Sequence, residues 1–190
     1  MWNTPNLLTM LRIGLIPVFV GVFYVETRWA PYAAALIFSA AAVTDWLDGH
    51  LARRWDQTSP LGAFLDPVAD KLMVAAALVL LVQADHRTLV VLPAIVIIGR
   101  EITVSALREW MAEIGARAQV AVSLVGKFKT TAQMVSIIMM LLHDSVLGPW
   151  VYGLGLVLLY LAAVLTLWSM VVYLRAAWPS LSGQTRPGSR

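Results

Sequence analysis

The chain has 190 residues, 59% of them hydrophobic and 13% charged, with a mean hydropathy of +0.76. That composition marks an all-α integral membrane protein, and at about 20 residues per span it accommodates around six transmembrane helices in one bundle, with no room for a separate soluble domain. The absence of cysteine excludes disulfides and thiolate chemistry, and a pI near 9.5 points to anionic lipid headgroups rather than nucleic acid.

Six apolar stretches are predicted as spans: Leu7–Val25, Pro31–Gly49, Leu61–Val82, Thr88–Leu107, Val122–Leu142 and Trp150–Tyr173. A short interfacial helix is expected at the N-terminus, without the basic region and cleavage site of a signal peptide. Residues 1–178 form the single domain. The tail PSLSGQTRPGSR, residues 179–190, is polar and rich in Pro, Gly and Ser, and is expected to be disordered.

Six spans put both termini on one side, together with the loops after spans two and four. That side collects Arg12, Arg53, Arg54, Lys71, Arg100, Arg108, Arg117, Lys127, Lys129, Arg175, Arg186 and Arg190, leaving only Arg28 and Arg87 for the other. By the positive-inside rule both termini are expected in the cytoplasm. Trp29, Trp55, Trp110, Trp150 and Trp178 fall near the predicted span ends, where aromatic belts belong.

In the first span Asn6, Thr9 and Arg12 recur every three residues and share a face. On spacing alone this is an interfacial helix whose Arg12 snorkels to headgroups. Pro17 is expected to kink the span.

The densest chemistry lies between spans two and three, in DWLDGHLARRWDQTSPLGAFLDPVAD, residues 45–70. Asp45 and Asp48 are three apart, Asp66 and Asp70 four apart, so each pair occupies one helix face. The connection around Thr58-Ser59-Pro60 is short, which makes the two helices antiparallel neighbours. Ser59 is a natural cap and Pro60 a natural first helical residue, while Pro67 is expected to loosen the helix beside Asp66. Carboxylates at membrane depth are costly and demand a counter-charge. An all-oxygen donor set suits a hard cation such as Mg²⁺, Mn²⁺ or Ca²⁺. An ion-pair cluster with Arg53, Arg54 and Lys71, or an ion-conducting or proton-relay site in a transporter, would also use such residues.

The pattern Asp45-x2-Asp48-Gly49-x2-Ala52-Arg53-x8-Gly62-x3-Asp66-x3-Asp70 resembles the signature of the CDP-alcohol phosphatidyltransferase family at all eight positions. The resemblance implies a Mg²⁺-dependent membrane enzyme, with Mn²⁺ as a substitute, that moves a phosphatidyl group from a CDP-linked lipid to an alcohol and releases CMP. Carried onto this chain, it makes Asp45, Asp48 and Asp66 metal ligands and Asp70 the general base, with Asp70 also a candidate ligand. Gly49 and Ala52 then give the nucleotide room, and Arg53 and Ser59 contact its phosphates. Pro5-Asn6-Leu7-Leu8-Thr9-Met10-Leu11-Arg12 resembles the N-terminal segment of the branch of this family that accepts glycerol 3-phosphate, which makes Asn6 and Thr9 candidates for cytidine contacts.

Span four carries Gly99-Arg100-Glu101 and span five carries Gly126-Lys127-Phe128-Lys129-Thr130. Arg100 and Glu101 alone would make a local ion pair. Antiparallel packing of the two spans brings Arg100, Lys127 and Lys129 to similar depth, a cationic pocket suited to a phosphate-bearing acceptor. Both segments also resemble the glycerol 3-phosphate branch. The implied reaction joins CDP-diacylglycerol and sn-glycerol 3-phosphate into phosphatidylglycerophosphate and CMP, in a homodimer in a bacterial-type inner membrane. Inositol phosphate or phosphatidylglycerol as acceptor is the alternative within the family.

Overall fold

The computed structural model describes the backbone of residues 4–55, 60–85, 88–114, 124–142 and 149–181, and side chains within 9–44, 62, 64–85, 88–114, 128–142 and 149–178. The described residues form six helices and no strand: α1 (Thr4–Phe23), α2 (Ala30–Trp55), α3 (Pro60–Ala84), α4 (Val91–Glu113), α5 (Leu124–Leu141) and α6 (Pro149–Leu181). Each predicted stretch corresponds to one helix. Among the described residues one segment, Pro149–Trp178 with a mean hydropathy of 2.3, is long and apolar enough to cross a membrane by length and composition.

The ends of α2 and α3 fall where the turn chemistry of the motif puts them, and the end of α6 does not follow expectation. α2 continues past Gly49 to Trp55, so the first half of the acidic motif is helical throughout. α3 begins at Pro60, where a fixed φ and a missing N–H cost nothing. α6 runs to Leu181, into the segment expected to be a disordered tail; residues 182–190 lie outside the described ones. Neither internal proline ends its helix: α1 passes through Pro17 and α3 through Pro67, and both prolines point outward, away from the packed faces.

The chain alternates direction, so each helix has a motif end, where α2 meets α3, and a far end. α1 and α3 run parallel and touch at both ends. Thr9 donates to Asp66 at the motif end, and Tyr24 donates to Gln83 at the far end. Fifteen residues of α1 thereby match seventeen of α3, about 23–26 Å of helix. At the far end Tyr152 also donates to Asp85 and Tyr160 to the Leu89 carbonyl at 2.9 Å. These bonds tie α6 to the α3–α4 turn.

The bundle interior holds Phe19, Phe38, Leu78, Leu81, Ile97, Ile137, Met140 and Leu159, with the Phe19 and Phe38 rings 6.1 Å apart. The outside of α6 is a stripe of Leu154, Val157, Leu161, Val164, Trp168 and Val171, all exposed and spaced three and four apart as a helix face requires. Arg12, Lys129, Gln133 and Ser136 are buried. The molecule is apolar outside and partly polar within.

α5 and α6 make the most extensive helix contact, and its closest point is Gly155. The Ser136 hydroxyl donates to the Gly155 carbonyl at 2.7 Å. A Cβ at Gly155 would lie 2.9 Å from Met140 Cγ, 3.1 Å from Met139 Cβ and 3.2 Å from the Ser136 carbonyl oxygen, whereas Gly153 has nothing within 4 Å. Small residues let membrane helices approach this closely. Gly155→Val should therefore lower the thermal midpoint in detergent, by an overpacking cost of about 1–3 kcal/mol, while Gly153→Val leaves it near wild type. Equal melting of the two variants would exclude this contact as the closest fit.

Candidate active site

Asp66 and Asp70 lie one turn apart on α3, and both are half-buried. Ala69 between them is fully buried, so this turn of α3 presses against its neighbours and the carboxylates flank the contact. α1 supplies the opposing surface. Thr9 is 0% exposed and Arg12 2% exposed, one turn apart on the face that meets α3. The Thr9 hydroxyl donates to Asp66 Oδ1. Arg12 and Asp70 line one small cavity of about 10 Å³ with Phe38, Ala41, Ala42, Met73, Val74 and Met134, room for a single water at most. Side chains of α1, α2 and α5 therefore crowd one flank of Asp70.

Arg12 is thus inside the bundle beside Asp70, not snorkelling to headgroups as its position near the chain's start suggested. The i, i+3 relation of Thr9 and Arg12 was the sequence signal, but only packing shows that this face turns inward. The same packing buries the Thr9 side chain, with its hydroxyl on Asp66. Asn6, Asp45, Asp48, Gly49, Ala52, Arg53 and Ser59 have side chains outside the described ones. The backbone carries Asp45, Asp48, Gly49, Ala52 and Arg53 on the last turns of α2, which packs on α3. Among the described residues no three His, Cys, Asp or Glu side chains gather, and the described part of the acidic motif is Asp66 with Asp70. As hard oxygen donors one turn apart, the two carboxylates suit a divalent cation of the Mg²⁺ type.

A second polar cluster joins α4, α5 and α6. Glu101 Oε1 accepts from Arg100 Nη1 and from Lys129 Nζ at 3.1 Å. Arg100 Nη2 donates onward to the Ser169 hydroxyl at 3.0 Å. Lys129 is 2% exposed, and Arg100 Nε is buried without a hydrogen-bond partner. Of the three expected phosphate contacts, then, Arg100 and Lys129 do converge, but on Glu101; Lys127 lies outside the described side chains. Two cations around one carboxylate leave the cluster a net positive charge. Nearby, Lys71 donates to Ser105. Towards the motif end Arg108 donates to the Tyr173 hydroxyl at 2.6 Å and stands 5.1 Å above that ring, a cation–π contact. The Arg100–Glu101 pair follows from adjacency in the chain, whereas Lys129 on the same carboxylate, and Ser105, Ser169 and Tyr173 as partners, emerge only from helix packing.

The described fold is an all-helical bundle with a carboxylate pair on α3 and a separate cationic cluster on α4 and α5. A family model described as CDP-alcohol phosphatidyltransferase matches residues 2–168, and the chain belongs to that family. Similar proteins include the CDP-diacylglycerol--glycerol-3-phosphate 3-phosphatidyltransferases of Shigella flexneri serotype 5b (strain 8401) and of Escherichia coli (strain K12). Each is 57% identical over 183 residues, covering 96% of this chain and 99% of the relative.

Removing one member of a buried ion cluster strands the others. Glu101→Gln should lower thermal stability in detergent. Adding Lys129→Met to it should recover part of the loss, with a coupling of about 0.5–3 kcal/mol. Additive effects in this double-mutant cycle would mean that the ion pair contributes nothing.

Proposed function

We propose that this chain transfers the phosphatidyl group of CDP-diacylglycerol to sn-glycerol 3-phosphate, forming phosphatidylglycerophosphate and CMP in phospholipid synthesis. The observation that carries this reading is the Asp66–Asp70 turn, half-buried and braced by α1, in a chain whose near-full-length relatives bear the name of this reaction.

In this reading Asp45, Asp48 and Asp66, with Asp70 shared, hold Mg²⁺, or Mn²⁺ in its place. When bound, the ion neutralises the donor's diphosphate and the charge that develops on departing CMP. Asn6, Gly49, Ala52, Arg53 and Ser59 are the proposed CDP-lipid contacts, the small residues giving room and Arg53 pairing with phosphate. Asp70 takes the proton from the acceptor's free hydroxyl. That oxygen attacks the phosphatidyl phosphorus, and the bond from this phosphorus to the oxygen of the CMP phosphate breaks. The crowded flank of Asp70 leaves its other side for the acceptor.

The acceptor's own phosphate is assigned to Arg100, Lys127 and Lys129. Support comes from the net positive charge around Glu101 and from the Arg100 Nε that has no hydrogen-bond partner. Lys129, buried on Glu101, acts mainly by sharing that carboxylate with Arg100.

The bilayer is the proposed solvent for all six helices. In water the exposed stripe on α6 would be a large apolar patch, while in lipid it is the expected surface. Trp150 and Trp178, both exposed, stand about 42 Å apart along α6, close to the roughly 40–45 Å between the two headgroup regions. The distribution of basic residues supports a topology with both termini and the acidic motif on the cytoplasmic side of a bacterial-type inner membrane. The resemblance that suggests the reaction also suggests a homodimer.

Membranes containing the protein should release CMP from CDP-diacylglycerol only when glycerol 3-phosphate is supplied. EDTA should stop the release and Mg²⁺ or Mn²⁺ restore it, while Asp70→Asn should cut turnover by orders of magnitude in folded protein. Equal CMP release with inositol phosphate, or with phosphatidylglycerol, would reassign the acceptor. For orientation, a tag inserted after Asp85 should be reachable from outside intact cells and a reporter fused after Arg190 should not. The reverse pattern would invert the topology.

A further inference from the structure

Helical Ser and Thr commonly bond back to a carbonyl one turn earlier, as Ser39 does to the Ala35 carbonyl, Thr103 to Gly99 and Ser105 to Glu101. The Thr9 hydroxyl reaches across to a carboxylate 57 residues away, on a different helix. It does so at 0% exposure, where an unmatched polar group would be expensive.

From this contact we infer that Thr9 is the positioning residue for Asp66. It holds Oδ1 so that the carboxylate presents a fixed orientation to the metal. A carboxylate offers about four lone-pair directions, and a lone helical Asp would sample several rotamers. Thr is stiff at χ1, and its burial between α1 and α3 removes what freedom remains. One Oδ1 direction is committed to Thr9, leaving Oδ2 and the rest of Oδ1 for a ligand. The Tyr24–Gln83 bond at the far end of the same helix pair holds the two helices in register, so the brace cannot slide by a turn. The inference rests on the proposed role of Asp66 as a metal ligand and adds the group that orients it. It also gives the first helix a function distinct from touching the nucleotide.

The test uses full-length protein purified in detergent, with Mn²⁺ binding measured by the loss of the free-ion EPR signal and Mg²⁺ activation measured separately. Thr9→Val removes the hydroxyl and keeps the shape, Thr9→Ser keeps the hydroxyl, and Asp66→Asn is the control for the ligand itself. Loss of an outer-shell hydrogen bond typically costs ~10–100-fold in metal affinity. Thr9→Val should therefore weaken Mn²⁺ binding by roughly that factor and raise the Mg²⁺ needed for half-maximal activity alike. Its KM for CDP-diacylglycerol at saturating metal should stay near wild type, and Thr9→Ser should restore the affinity. Wild-type Mn²⁺ affinity in Thr9→Val, alongside loss in Asp66→Asn, overturns the inference and leaves the metal site standing. A raised KM for the lipid with unchanged Mn²⁺ binding overturns it in favour of a nucleotide contact. Unchanged binding in Asp66→Asn removes the ligand role of Asp66, and this inference with it. If Thr9→Val does not fold, Thr9→Ala, which adds no bulk, carries the same comparison.

Discussion

The contact of α1 with the first turns of α3 is the constraint on which the site depends. α3 carries Asp66 and Asp70 half-buried in a bundle whose exterior is apolar, and carboxylates in such a place need partners on the inside. α1 supplies them from a single face, with Thr9 on Asp66 and Arg12 in the cavity beside Asp70. Because both helices rise by the same amount per residue, the one-turn spacing of the donors matches the one-turn spacing of the acids. A shift of either helix by one residue would rotate these pairs out of line.

The same rule governs the other polar groups. Glu101 gathers Arg100 and Lys129, Lys71 finds Ser105, and Ser136 finds the Gly155 carbonyl. The Ser136 bond joins atoms that are fully buried, where an unmatched polar group is costly. The polar bonds at the two ends of the bundle serve different purposes. At the far end, tyrosine hydroxyls clamp helices to turns, while around the motif end and at mid-depth, charged groups are held near one another but not fully neutralised. Two cations share Glu101, so that cluster keeps a net positive charge apart from the carboxylate pair on α3.

Much of the chemistry was legible in the linear sequence because spacing on a helix is geometry. Four residues between Asp66 and Asp70 force them onto one face whatever they pack against, and eight matched motif positions specify a family. The all-helical class and the near extents of the six helices followed from apolar stretch length alone. The expectation failed at the end of α6, which continues into the polar segment after Trp178, because a helix needs only satisfied backbone bonds and not an apolar face to propagate.

What a residue touches across helices was decided by tertiary structure. Sequence spacing put Thr9 and Arg12 on a common face but could not say whether that face met lipid or α3, since both choices obey the same period. It likewise placed Arg100 and Lys129 at similar depth without revealing that Glu101, adjacent to Arg100 in the chain, would take both. Helical periodicity determines angles around one axis. The choice of neighbour depends on how several axes pack together, and that is fixed by long-range contacts such as Gly155 against Ser136 and Tyr24 against Gln83, which leave no periodic trace in the chain.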